Sequence, residues 1–214
     1  MRHDKFWVSA VVIGALYLPA MAETTIDTRS SWNGVQGAVG LGDGDIVAAS
    51  EFVQTFTLQP GDVTALNSIT FLIQQYSGSD EVEVDVQVHL WGGGGSSGII
   101  GPPLFASGTI QSNRIGSPDW EQIDVPVGNL ELQIGQAYAI ELNSVTDAEP
   151  GIGKIAGVGT NPYPHGDAWF ESSPGFWRSD LIPGDLAMEI TFTPEPASLA
   201  LLGIGGLMVT RRRR

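Results

Sequence analysis

Asn161 to Asp180 reads NPYPHGDAWFESSPGFWRSD and packs most of the chain's chemistry-bearing side chains into twenty residues. Tyr163, Trp169, Phe170 and Trp177 are the candidate ligand-binding rings, interleaved with His165, Asp167, Glu171 and Arg178. Flat aromatic faces stack on the C–H faces of sugar rings, and neighbouring polar groups bind the hydroxyls. One reading is therefore a carbohydrate platform. The other is a long connection that packs its own aromatics onto the edge of a sheet. Trp32, Trp91 and Trp120 could join either arrangement.

Other constellations are thinner. Glu83 and Asp85 sit two apart in an alternating run, roughly 7 Å along a strand face. Glycoside hydrolysis uses carboxyl pairs about 5–10 Å apart, but an acidic solvated face has the same spacing. His165, Asp167 and Ser172 are the ingredients of a nucleophilic triad, without a G-x-S-x-G elbow to present the serine. Asp43 and Asp45 in Gly42-Asp43-Gly44-Asp45 are weak calcium candidates, and Ser79-Asp80-Glu81 offers two more carboxylates. Calcium takes six to eight oxygens, and neither stretch completes an EF-hand loop. His89 and His165 stand far apart and cysteine is absent, so no zinc set is present in the sequence. We assign no catalytic residue, no firm metal ligand and no cofactor other than possible calcium.

The elements that must position these residues are strands. Val82 to Trp91, VEVDVQVHLW, places Val82, Val84, Val86, Val88 and Leu90 on one face, and Glu83, Asp85, Gln87, His89 and Trp91 on the other. Period two with one apolar face is the mark of a half-buried strand. The same alternation runs through Ile69, Phe71 and Ile73, then Ile123, Val125 and Val127. It returns in Tyr138, Ile140 and Leu142, and in Leu186, Met188, Ile190 and Phe192. Phe52, Phe56 and Leu58 mark another strand before Pro60-Gly61. Breaks are expected at 60–62, 76–80, 92–95, 101–103 and 116–118, where glycine and proline cluster. The pattern predicts an all-β domain, an antiparallel β-sandwich of jelly-roll type.

Charge and compartment narrow the partners. Residues 23–193 hold four basic residues against 22 carboxylates, about −18 in formal charge. Such a surface repels nucleic acid, and it repels acidic polysaccharide unless a cation bridges them. With no cysteine, the 171-residue span must be held by burial alone.

Both ends read as targeting segments. Residues 1–22 have a basic start, an apolar core from Phe6 to Leu18 and an A-x-A site at Ala20-Met21-Ala22, the pattern of a secretory signal peptide cleaved after Ala22. Residues 194–214 run Pro194-Glu195-Pro196, then an apolar stretch from Ala197 to Thr210, then Arg211, Arg212, Arg213 and Arg214. As a helix, that stretch would rise about 21 Å, short of a bilayer's roughly 30 Å hydrocarbon core, with the arginines on the cytoplasmic side.

Those three elements, in that order at the C-terminus, resemble the PEP-CTERM sorting signal of exopolysaccharide-producing bacteria. The resemblance implies recognition and processing by an exosortase, a membrane-embedded transpeptidase-like enzyme. It also implies transient anchoring by the C-terminal helix before delivery to the cell surface or extracellular matrix. A looser resemblance covers the middle: Gln54-Thr55-Phe56, Trp91-Gly92-Gly93, Gly101 to Gly108 and Leu132 to Tyr138 are similar to motifs of extracellular β-sandwich domains carried by PEP-CTERM proteins. The expectation is an exported, noncatalytic surface or matrix protein in three parts, 1–22, 23–193 and 194–214, associated with exopolysaccharide or biofilm. The alternatives are a carbohydrate-binding module and an extracellular glycan hydrolase or lyase.

Overall fold

In the computed structural model, the described residues are 24–34, 39–41, 51–75, 82–112, 119–144, 153–179 and 184–193. Asp43, Asp45, Ala20, Ala22 and the whole of 194–214, with its sorting motif and expected helix, lie outside them. Among the described residues the regular structure is β, with one 3-10 turn at Arg29–Ser31 and no α-helix.

The strands are β1 (Thr24–Asp27), β2 (Val39–Leu41), β3 (Glu51–Thr57), β4 (Ala65–Gln75), β5 (Glu83–Trp91), β6 (Ile99–Gln111) and β7 (Trp120–Glu131). They continue with β8 (Ala137–Ser144), β9 (Gly153–Ile155), β10 (Gly157–Val158), β11 (Ala168–Ser173), β12 (Phe176–Arg178), β13 (Asp185–Leu186) and β14 (Met188–Phe192). One sheet is ordered β1-β14-β4-β9-β2, with β7 on the other side of β4. The second is ordered β12-β11-β3-β8-β5-β6, and β10 and β13 form a small pair. All registered pairs are antiparallel, and β3 with β8, β4 with β7 and β5 with β6 are nested one inside the next.

The two sheets share one core. Ile69, Phe71, Ile73, Ile123, Val125, Ile190 and Phe192 come from the first sheet, and Phe52, Phe56, Val84, Val86, Val88, Ile140 and Leu142 from the second. These are the alternating apolar positions of the sequence, so the period-two reading placed the inner faces correctly. Across the gap Phe56 meets Phe192, ring centroids 6.0 Å apart, and stacks on Tyr138 at 5.6 Å. Two packed antiparallel sheets with interdigitating inner faces make a β-sandwich.

The turn at 60–62 forms as expected: Asp62 Oδ2 accepts from Gln59 N at 2.7 Å, and Gly61 takes φ +102°. The turn between β7 and β8 is tied down by Tyr138, whose phenol oxygen accepts from Gln133 N at 2.7 Å. The break expected at 101–103 is a correction, because Gly101-Pro102-Pro103 lies inside β6. Strand β6 is the edge of its sheet, where proline need not donate to a ladder. Its pairing with β5 is interrupted by two register shifts, and Gly101 and Gly108 both take φ +71°. The prolines are absorbed by an irregular edge rather than ending the strand.

Candidate functional site

The segment 161–178 does not form an open platform. Phe170 is buried in the main core and Trp177 is 4 % exposed. Strand β11 pairs with β3, which turns Phe170 inward beside Phe52, and the partner strand β12 carries Trp177 under a covering loop. A buried ring cannot stack on a sugar, so Phe170 and Trp177 are withdrawn as surface glycan contacts. Tyr163 is half-buried, and its hydroxyl donates to the Thr57 carbonyl at 2.9 Å. Burial pushes that phenol up to about 12. Trp169 is partly buried.

The first half of the segment is a stapled connection. Asp167 N donates to Thr55 Oγ1 at 2.9 Å, and Asn161 Nδ2 donates to Asp167 Oδ1 at 2.9 Å. Tyr163 N donates to Asp185 Oδ2 at 3.0 Å. Asp185 is wholly buried, and its other oxygen accepts from Gln54 Nε2 at 2.8 Å. Burial raises the Asp185 carboxyl to about 6 and also raises that of Asp167. The triad ingredients are engaged separately: Ser172 Oγ donates to the Phe176 carbonyl, and His165 lies edge-on to Tyr163 at 5.8 Å. Tyr163 and His165 line a cleft of about 330 Å³ with Thr24, Asp27, Gln59 and Asp62. The two carboxylates there are already accepting from Ser30 N and Gln59 N.

The residues that do converge lie on the outer face of the second sheet. Its register places Trp169, Val53, Glu141 and Gln87 in one row across β11, β3, β8 and β5. Glu51, Asn143 and Asp85 form the next row, and Glu171 follows Trp169 two places along β11. His89 Nε2 lies 3.0 Å from both Glu141 Oε2 and Gln87 Oε1, and Gln87 Nε2 donates to Asp85 Oδ2 at 2.6 Å. Both neighbours of Nε2 are acceptors, so that nitrogen carries the proton. His89 is 4 % exposed and its Nδ1 is buried without a partner. Burial first, then the charge of Glu171, raises the Glu51 carboxyl to about 7, with the charge of Glu141 and a hydrogen bond to Glu171 adding to it.

Beside these polar rows stand three tryptophans. Trp91 lies 5.5 Å from Trp169 and 5.8 Å from Trp177, centroid to centroid, over buried Val53 and Ala139. Residues 92–98 cross them as a strap, closed by Gly92 N donating to the Gly98 carbonyl at 2.8 Å. A Cβ on Gly94 would stand 2.4 Å from Trp169 Cζ3, and one on Gly98 would stand 2.2 Å from Trp177 Cδ1. The glycine run is thus a backbone laid on indole rings, which only glycine permits at that distance. The sequence placed His89 and Trp91 on a wet face; both are buried. Trp32 and Trp120 meet elsewhere, edge to face at 4.8 Å.

The carboxyl pair expected on β5 is tied across to β6. Glu83 accepts from Gln111 Nε2 at 2.7 Å and Asp85 from Ser107 Oγ at 3.2 Å. Glu171 lies close enough to Glu51 for its charge to raise the Glu51 carboxyl, and its own Oε1 accepts from Gly175 N. Among the described residues no three His, Asp or Glu side chains gather in a way that could hold a metal.

The described chain is thus an antiparallel all-β sandwich with a strapped tryptophan and carboxylate cluster on one outer face. Residues 192–214 match the family described as the PEP-CTERM protein-sorting motif, so the chain carries that motif at its C-terminal end. No curated protein and no solved structure matches the chain.

The raised carboxyls make a pH prediction. An acid whose folded pKa lies above its unfolded value stabilises the fold at low pH, and that stability is lost as pH rises through the folded value. For Asp185 the window is about 4 to 6, and for Glu51 about 4.5 to 7. The melting temperature is therefore expected to fall between pH 5 and pH 8. Glu51→Gln should flatten the profile and raise stability at pH 8 by about 1–2 kcal/mol, discounted because the group is only half buried. Thermal melts of both proteins across that range would check it. A wild-type melting point that rises toward pH 8 would contradict the assignment.

Proposed function

We infer that this is an exported, noncatalytic surface or extracellular-matrix protein, delivered by exosortase-type processing of its C-terminus and associated with exopolysaccharide. The observation that carries the reading is the PEP-CTERM protein-sorting motif at 192–214. Pro194-Glu195-Pro196 is the recognition tripeptide, the apolar stretch after it holds the chain in the membrane as a helix, and Arg211 to Arg214 keep the end cytoplasmic. Residues 1–22 serve as the signal peptide, cleaved after Ala22. The anchor is transient, and the 23–193 domain is what remains at the surface.

The domain itself supports a binding or structural role. Its formal charge of about −18 disfavours nucleic acid and anionic glycans. Nesting of β3·β8, β4·β7 and β5·β6, with β5 also against β8, supports the jelly-roll reading of the sandwich. Calcium at Asp43 and Asp45 stays a secondary proposal, resting on two carboxylates in a glycine-rich turn.

The test is the mass of the protein recovered from its host, compared with a strain lacking the exosortase. Loss of residues 1–22 and truncation near Pro194-Glu195-Pro196 are expected in the first strain, with the C-terminus intact in the second. Replacing Pro194, Glu195 and Pro196 together by alanine should abolish the truncation in the first strain. A C-terminus intact through Arg214 in both strains would make this a plain tail-anchored protein.

A further inference from the structure

We propose that the strapped face of the second sheet is a binding site for a neutral sugar residue of a polysaccharide, closed by the glycine strap until the ligand displaces it. The ligand class follows from the groups that lack partners. Trp169 Nε1 is a buried donor with no acceptor, and His89 Nδ1 is a second buried nitrogen with no partner, an acceptor while the ring is neutral with its proton on Nε2. Unsatisfied buried polar atoms are uncommon in native folds and cost about 1–3 kcal/mol each. Two on one outer face, both beside the tryptophan and carboxylate rows, point to a ligand that supplies an acceptor and a donor. A hydroxyl supplies both.

The remaining groups narrow the choice. Glu51, Glu141 and Glu171 line the polar side of the face, so they accept from hydroxyls and repel carboxylates, sulfates and phosphates. A simple cation would suit the carboxylates but would leave the indole N–H unsatisfied. Trp169 supplies the stacking surface, and Gly94 now occupies the place on its indole that the C–H face of a sugar ring would take. The site so assembled differs from the surface platform read from the sequence, because it is closed and because two of its ligand-facing groups, His89 and Glu141, come from β5 and β8.

The strap is built to move at low cost. It is fastened to β12 by two backbone bonds, Gly95 N to the Trp177 carbonyl and Trp177 N to the Gly95 carbonyl, both 2.9 Å. Its glycines and serines bring few side-chain contacts of their own. Lifting it uncovers Trp169 first, because Trp169 is the ring already partly exposed.

This inference deepens the polysaccharide association proposed above, and its test is independent of sorting. The protein recovered from its host is run in native gels containing a mixed-linkage β-glucan, a galactomannan, dextran or alginate. Retardation is expected with at least one of the three neutral glycans and none with alginate. Gly94→Ala pushes a methyl into Trp169 and displaces the strap, so binding should tighten several-fold. Trp169→Phe keeps a stacking ring but removes the N–H, and should weaken binding about tenfold, the equivalent of one hydrogen bond. Melting temperatures of both variants verify that they are folded. The proposal is overturned if folded wild type and Gly94→Ala ignore all three neutral glycans, if alginate retards equally, or if Trp169→Phe binds as well as wild type. None of these outcomes alters the mass measurement, so failure here leaves the sorting assignment standing.

Discussion

Gln54→Leu is expected to destabilise the domain by about 3–5 kcal/mol at pH 8, and by less at pH 5. Gln54 sits on the inward face of β3, between Phe52 and Phe56, at 2 % exposure. Its amide is fully used: Nε2 donates to Asp185 Oδ1 at 2.8 Å and to the Thr55 carbonyl at 3.1 Å, and Oε1 accepts from Leu186 N at 2.7 Å. Leucine fills the volume but leaves Oδ1 of a wholly buried carboxyl and the buried Leu186 N–H without their partner. The bond from Gln54 is one of the interactions holding the Asp185 pKa down against desolvation. Its loss raises that pKa further, so the mutant is penalised most where Asp185 is charged. Urea denaturation at both pH values measures the difference. A loss below about 1 kcal/mol at pH 8, or one independent of pH, would mean that water or another donor replaces the amide.

This network marks where the sequence stopped being legible. Alternation identified the inner faces of β4, β5, β7, β8 and β14, because a period of two is written directly in residue type. Gln54 and Asp185 break that code: both are polar, both are buried, and they bond to each other from 131 residues apart. Nothing local in the sequence announces the pair. The same limit hid the outer face of the second sheet. His89 and Trp91 fall on the polar side of an alternating strand and read as solvated, but both are buried, and the next seven residues lie over the neighbouring Trp169 and Trp177. A run of glycines ordinarily signals a turn or linker, and its use as a thin covering depends on tryptophans contributed by β11 and β12, far along the chain. The one available hint was compositional: one tryptophan ends β5, two more lie in 169–177, and the glycine run directly follows Trp91.

The prolines of β6 show the converse case, a local signal overruled by position. Gly101-Pro102-Pro103 carries every feature of a break, but the strand lies at a sheet edge where missing donors leave no neighbour unpaired. Edge position is a property of topology, which alternation does not encode. The targeting motif lies at the other extreme. It is read from a contiguous stretch, so sequence alone identified it, and its matched span of 192–214 begins two residues before the proline read as its start.

Phe56→Ala is expected to be the most damaging single truncation in the core, at about 3–5 kcal/mol. Phe56 is fully buried and touches both layers: it stacks on Tyr138 within its own sheet, and meets Phe192 of the facing sheet edge to face. Removing the ring therefore forfeits burial, two aromatic contacts and part of the adhesion between sheets. The cavity cannot close easily, because Phe56 is fixed by pairing with Tyr138 on β8 and Phe192 by pairing with Thr24 on β1. The domain has no disulfide to limit the entropy of its unfolded chain, so a loss of this size removes a large share of a typical 5–15 kcal/mol margin. Phe176→Ala is the matched control, since that ring is 45 % exposed and a surface truncation is typically within about 0.5 kcal/mol. Urea midpoints of the two variants should differ widely. Near-equal midpoints would mean that the sheets are held together elsewhere, and the layer-bridging role given to Phe56 would have to pass to the aliphatic rows of β4 and β5.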